Sequence, residues 1–134
     1  MSETASAEKL KAGVGMPQQL YLHEFGSKVW DAFGSLPYVV GSVLTSKAWR
    51  DVDVRFLMPD EEYERTFPGV KNHNDEHQCP KWIALCMAWS ALGEKMTGLP
   101  IDFQVQRQSE ANRLYPGNRS AIGIIPLRLK RAAD

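Results

Sequence analysis

Two segments of this chain alternate apolar and polar residues so regularly that they admit little but β-structure. Across residues 51–58, Val52, Val54, Phe56 and Met58 fall on one side, while Asp51, Asp53 and Arg55 fall on the other. Residues 101–105 repeat the pattern, with Ile101, Phe103 and Val105 opposite Asp102 and Gln104. Each strand therefore needs an apolar layer on one face and leaves acids on the other. The fold must cover one side of a sheet and keep the second side polar.

The remaining segments supply that layer. A first helix is expected from Pro17 to about Phe33, with Leu22, Phe25, Val29, Trp30 and Phe33 as its buried stripe and Gly34-Ser35 as its stop. Residues 36–40 read as a short buried strand. A short acidic helix is expected over 60–64, followed by a polar loop over 69–78. Pro80 opens a second long amphipathic helix, with Trp82, Leu85, Cys86, Trp89, Leu92 and Met96 on its core face and Gly98 and Pro100 closing it. Residues 109–114 suit one or two helical turns, and Pro116-Gly117-Asn118 marks a turn. A last edge strand is expected over 122–129, weakened by Pro126. Helices and strands intermingle, so the class is α/β (α+β): a small mixed sheet flanked by helices.

Length and composition fit one domain. The 134 residues can bury a modest core, and 43% hydrophobic with 24% charged residues suits a globular chain. Its expected organisation is a flexible N-terminal segment (1–16), a folded domain (17–127) and a basic C-terminal tail (128–134). Sixteen basic and sixteen acidic residues give no net charge, which argues against an extensive nucleic-acid surface. With two cysteines, no apolar leader and no run long enough to cross a bilayer, the expectation is a cytoplasmic protein without membrane contact.

The chemistry concentrates around Gly41-Ser42 and the acids. Asp51 and Asp53, two apart on a strand, leave the same face with Cα atoms roughly 6.5–7 Å apart, given a rise of about 3.3 Å per residue. Two carboxylates this close repel, and a divalent ion relieves the repulsion. Mg²⁺ favours one or two carboxylates together with phosphate oxygens from a substrate. If the strand carrying Asp102 lies beside that of Asp53, three acids converge, enough for two ions about 3.5–4 Å apart. Gly41 lets backbone approach a phosphate closely, and Ser42 adds a hydroxyl donor. Lys47 and Arg50 lie in the same connection as candidate phosphate partners. Arg119 and Ser120, after the Pro-Gly turn, are candidates for a second phosphate or base contact.

An apolar strand, Gly-Ser, a short spacer, Asp-x-Asp and a later lone Asp together resemble the DNA polymerase β-like nucleotidyltransferase superfamily, in particular its minimal single-domain members. The resemblance covers residues 36–105. It implies that Asp51, Asp53 and Asp102 ligand two Mg²⁺ ions (or Mn²⁺), with Asp102 helping to activate an incoming hydroxyl, and that Gly41 and Ser42 hold the triphosphate. The implied reaction moves a nucleoside monophosphate from an NTP donor to a hydroxyl on a protein, an RNA end or a small molecule, releasing pyrophosphate. It also implies a protein partner, as in toxin–antitoxin pairs, and the alternative of a catalytically inactive nucleotide-binding module. The chain departs from the pattern at Ser46, Arg50 and Val52, and bulky Trp49 and Arg50 stand where the nucleotide would enter.

A competing constellation, His73, His77, Cys79 and Cys86, has no zinc-site spacing, and Cys86 suits a buried helix face. Gln104, Gln106, Arg107, Gln108 and Asn112 are polar enough to line a cleft, though plain solvation is their default reading.

Overall fold

The computed structural model describes residues 13–123. The first helix, α1 (Gln18–Phe33), ends on Gly34, whose left-handed backbone (φ 83°) returns an N–H to the Trp30 carbonyl at 2.7 Å. Strand β1 (Tyr38–Val40) follows, then a single 3₁₀ turn at Ser42–Leu44 and strand β2 (Val52–Met58). Helix α2 (Asp60–Thr66) and a 3₁₀ segment (His73–Gln78) lead into α3 (Pro80–Thr97), which Pro80 opens and Gly98 closes. Strand β3 (Ile101–Arg107), helix α4 (Gln108–Leu114) and strand β4 (Arg119–Ala121) complete the described chain.

The four strands form one mixed sheet in the order β3-β2-β1-β4. β2 and β3 run parallel, and β1 runs antiparallel to both of its neighbours. The α/β class with a small mixed sheet is thus the observed one. A parallel pair needs a crossover, and α3 supplies it between β2 and β3.

Helices α1 and α3 supply the apolar cover that the alternation demands. Val52, Val54, Phe56 and Met58 are at most 1% exposed, as are Phe103 and Val105. Aromatic rings tie the layers together: Phe33 stacks on Phe56 at 4.6 Å, Trp89 on Phe103 at 5.7 Å, and Phe25 meets Phe103 edge-on at 6.1 Å. Gly26 allows α1 to touch the backbone of Ile122, where a Cβ would collide with its carbonyl.

Several boundaries differ from expectation. Leu92 is 38% exposed, while Gly93 and Thr97 are buried in its place. The reason is angular: successive residues are about 100° apart around a helix, so only one of the neighbours 92 and 93 can face the core. Of the expected N-terminal segment, residues 13–16 are described, and they are not all loose. Val14 is 1% exposed, and its carbonyl accepts a bond from the Gln19 side chain at 2.6 Å. A strand is found at Arg119–Ala121, just before the segment expected; Ile122 and Gly123 are not in a strand, and the rest of that expected strand (124–129) and the basic tail lie outside the described residues.

Candidate active site

Strand pairing decides which polar side chains meet. Asp53 is directly opposite Asp102 on β3 and Val40 on β1, and Val40 is opposite Arg119 on β4. Residues opposite one another share a face. One row across the open face therefore reads Asp102, Asp53, Val40, Arg119. The next row reads Gln104, Arg55, Tyr38, Ala121. The lone acid of the later strand is thus brought beside the earlier one by the parallel β2–β3 register.

Arg55 connects the two acids. Its Nη2 lies 3.5 Å from Asp102 Oδ2 and 3.9 Å from Asp53 Oδ1, and its Nη1 donates to the Asp102 carbonyl at 2.7 Å. The residue is only 6% exposed, and its Nε is buried without a hydrogen-bond partner. Burial pushes the Asp53 carboxyl above the usual carboxylate range; Arg55 pulls it back, and the charges of Asp102 and Asp51 add to the rise. One guanidinium thus serves two carboxylates, and the pair keeps an unneutralised charge. Arg55 was visible in the alternation as a neighbour of the acids, but only the register reveals that it bridges them.

Gly41 closes the site from β1. Its backbone (φ 85°, ψ −162°) lies in a region that essentially only glycine occupies. A Cβ there would sit 2.6 Å from Asp53 Oδ2, so a side chain at this position would fill the space beside the acid. Ser42 begins the 3₁₀ turn and is exposed, as are Lys47 and Arg50 further along the connection. Trp49 anchors this connection by donating its Nε1–H to the Gly13 carbonyl at 2.7 Å, a contact 36 residues away in sequence.

Not every expected site residue joins the group. Asp51 precedes β2 and is exposed, so it does not share the strand geometry of Asp53, although its charge is felt there. Ser120 is 7% exposed and pairs with Val39, placing it on the covered face, because adjacent strand residues point oppositely. Arg119 alone faces the acid row, with its guanidinium over the Tyr38 ring at 4.9 Å and a bond from Nη1 to Asn112 Oδ1 at 3.0 Å. A cavity of about 340 Å³ lies beside it, lined by Trp30, Tyr38, Leu57 and Arg119 among others.

A second charged group sits at the far end of β3. Arg107 binds Glu64 and the Val70 carbonyl, each at 2.8 Å, and lies 3.4 Å from Glu110. Glu110 also accepts from the His73 backbone N–H at 2.9 Å and meets the His73 ring at 3.0 Å. Burial alone would raise the Glu110 carboxyl, but the His73 bonds and the His73 and Arg107 charges hold it below the ordinary range. His73 is therefore engaged by Glu110, while Cys86 is buried and its thiol is pushed up to about 12 by that burial.

Asp53 and Asp102 stand side by side on neighbouring strands, with the Asp53 carboxylate packed against Gly41. Among the described residues no three His, Cys, Asp or Glu side chains come together as a metal-holding group. Comparison with protein families, curated proteins and solved structures found no match to this chain.

Proposed function

We propose that this protein is a divalent-metal-dependent nucleotidyltransferase that moves a nucleoside monophosphate from an NTP to a hydroxyl acceptor. The observation that carries the reading is the in-register pair Asp53 and Asp102, with the Asp53 carboxylate packed against Gly41, where no side chain would fit. Under this reading Asp53 and Asp102 hold Mg²⁺, or Mn²⁺, jointly with phosphate oxygens of the nucleotide. The bound ion would neutralise triphosphate charge and favour the deprotonated acceptor hydroxyl.

Gly41 admits a phosphate close to the backbone, Ser42 donates its hydroxyl, and exposed Lys47 and Arg50 offset phosphate charge. Arg119, in the same row as the acids, would meet a second phosphate or the base of the nucleotide. The acceptor oxygen bonds to the α-phosphorus, the bond to pyrophosphate breaks, and the hydroxyl proton leaves by way of Asp102 to solvent.

The test is a thermal-shift screen of the four nucleoside triphosphates with and without Mg²⁺, followed by a pyrophosphate-release assay. A ligand specific for the folded chain raises its apparent stability. The expected result is a Mg²⁺-dependent upward shift that Asp53→Ala abolishes, with pyrophosphate release lowered by about 10²–10³-fold. No Mg²⁺-dependent shift with any nucleotide overturns the proposal.

One observation favours a second reading, a nucleotide-binding or regulatory module without turnover. Arg55 already spans Asp53 and Asp102 and supplies positive charge where a metal ion would. Nucleotide binding without pyrophosphate release, across protein, RNA and small-molecule acceptors, would select that reading.

A further inference from the structure

Helix α3 and the outer edge of β3 enclose a groove of about 300 Å³, the lower end of the range for small-molecule sites. Its apolar lining includes Trp82, Phe103 and Met87, the last 66% exposed. Its polar lining includes Ser90 and two carboxylates, Glu94 and Asp102, and among the described residues no lysine or arginine lines it. The walls are fixed in place: the Phe103 N–H donates to Ser90 Oγ at 2.9 Å, and Trp82 Nε1–H donates to the Val105 carbonyl at 2.8 Å. A preformed groove loses little to ordering when a ligand enters.

The charge of the lining selects the ligand. Asp102 shares the Arg55 guanidinium with Asp53, so the acids outnumber the base, and exposed Glu94 adds another negative group. Free anions are repelled where no metal ion offsets the acids. A cation is attracted, and an indole wall and a thioether suit the body of an organic amine. We propose that this groove binds an organic cation, an ammonium group on an aromatic or aliphatic body, with Asp102 and Glu94 holding the charge and Trp82, Met87 and Phe103 holding the body. The groove and its charge carry this without any nucleotide. Where the nucleotidyltransferase reading also holds, the bound amine belongs to the acceptor class, because Asp102 is common to both sites.

Three small phenols with different charge test the proposal: tyramine, neutral 4-ethylphenol and anionic 4-hydroxyphenylacetate. Each is titrated into the full chain, free of metal and nucleotide, by calorimetry and by ¹H–¹⁵N spectra. Tyramine is expected to bind about tenfold tighter than 4-ethylphenol, one charge-assisted contact being of that order, and the anion weakest. Shifts should centre on Ser90, Phe103 and the Trp82 indole. Glu94 and Ala91 are both exposed, so their variants should keep the fold. Glu94→Gln should remove most of the preference for the amine, and Ala91→Phe should block all three phenols by filling the groove. Equal affinity for the three, preference for the anion, no saturable binding, or binding indifferent to both variants would each overturn the assignment. Because no nucleotide is present, failure here is distinguishable from failure of the transfer reaction.

Discussion

Strand β3 carries a charged group at each end, and the two are built differently. At Arg107 the contacts are diverse and include two short ones, Glu64 and a carbonyl at 2.8 Å, beside Glu110 at 3.4 Å and the face of Tyr63 at 4.9 Å. At Asp102 the ion pairs are long, 3.5 and 3.9 Å, and one guanidinium serves two acids. The first group joins the 3₁₀ segment, α2, α4 and β3, and it depresses a carboxyl; the second elevates one. A charge group whose members are held below their ordinary acidity range adds to stability, and one whose members are held above it subtracts. The difference suggests that the Arg107 end is architecture and the Asp102 end is kept short of cation.

The comparison breaks most readily at Glu110. Glu110→Ala removes the acceptor for the partly exposed His73 and a partner of the shielded Arg107, and a loss of about 1–3 kcal/mol in urea unfolding is expected. If the loss is negligible, the Arg107 group is decoration and the contrast fails. Gly41→Ala is expected to cost about 1–3 kcal/mol, through the backbone conformation it must adopt, with a steric conflict against Asp53 in addition. Recovery of that loss in the double variant with Asp53→Gly would locate the conflict at the acid.

Asp53→Asn should act in the opposite direction from Glu110→Ala. The folded Asp53 carboxyl is raised, so its contribution is favourable below the ordinary carboxylate range and is lost as pH rises through its folded pKa. The asparagine variant should therefore melt higher than the parent at neutral pH, with the advantage shrinking in acid. A lower melting temperature at neutral pH would show that Arg55, rather than burial, governs the site. A change confined to the pH profile is expected at Glu76, which feels charges from both ends of the strand. Burial raises it from 4.5 to about 7, against a hydrogen bond from Tyr63. Its contribution is present below about 4.5 and is lost as pH rises to about 7, and Glu76→Gln should flatten the stability profile across that window.

What the sequence made legible was local. Period-two alternation identified the faces of β2 and β3, because the side-chain direction of a strand is fixed residue by residue. Pro80 and Gly98 bounded α3 for equally local reasons. The sequence pattern reads Arg119 and Ser120 together as a contact after the Pro-Gly turn, with the strand expected only from residue 122; because the strand already begins at Arg119, the two neighbours point to opposite faces. Arg55 as a bridge, Trp49 on Gly13 and His73 on Glu110 all depend on pairings 36 to 47 residues apart, which no local pattern encodes. The pairing of Asp53 with Asp102 could be stated only as a condition until the sheet order was known.

The side chains that α3 offers to β3 have a consequence for assembly. Ser90 and Trp82 take up backbone groups of Phe103 and Val105 that a further strand would otherwise claim. The helix behaves as a non-repeating neighbour: it completes the bonding of the outermost strand but offers no ladder on which another chain can add. Growth of the sheet by strand addition is thereby discouraged on the side that carries the acids. Replacing Ser90 by alanine would then be felt first as self-association at high concentration, before any change at Asp53 or Asp102.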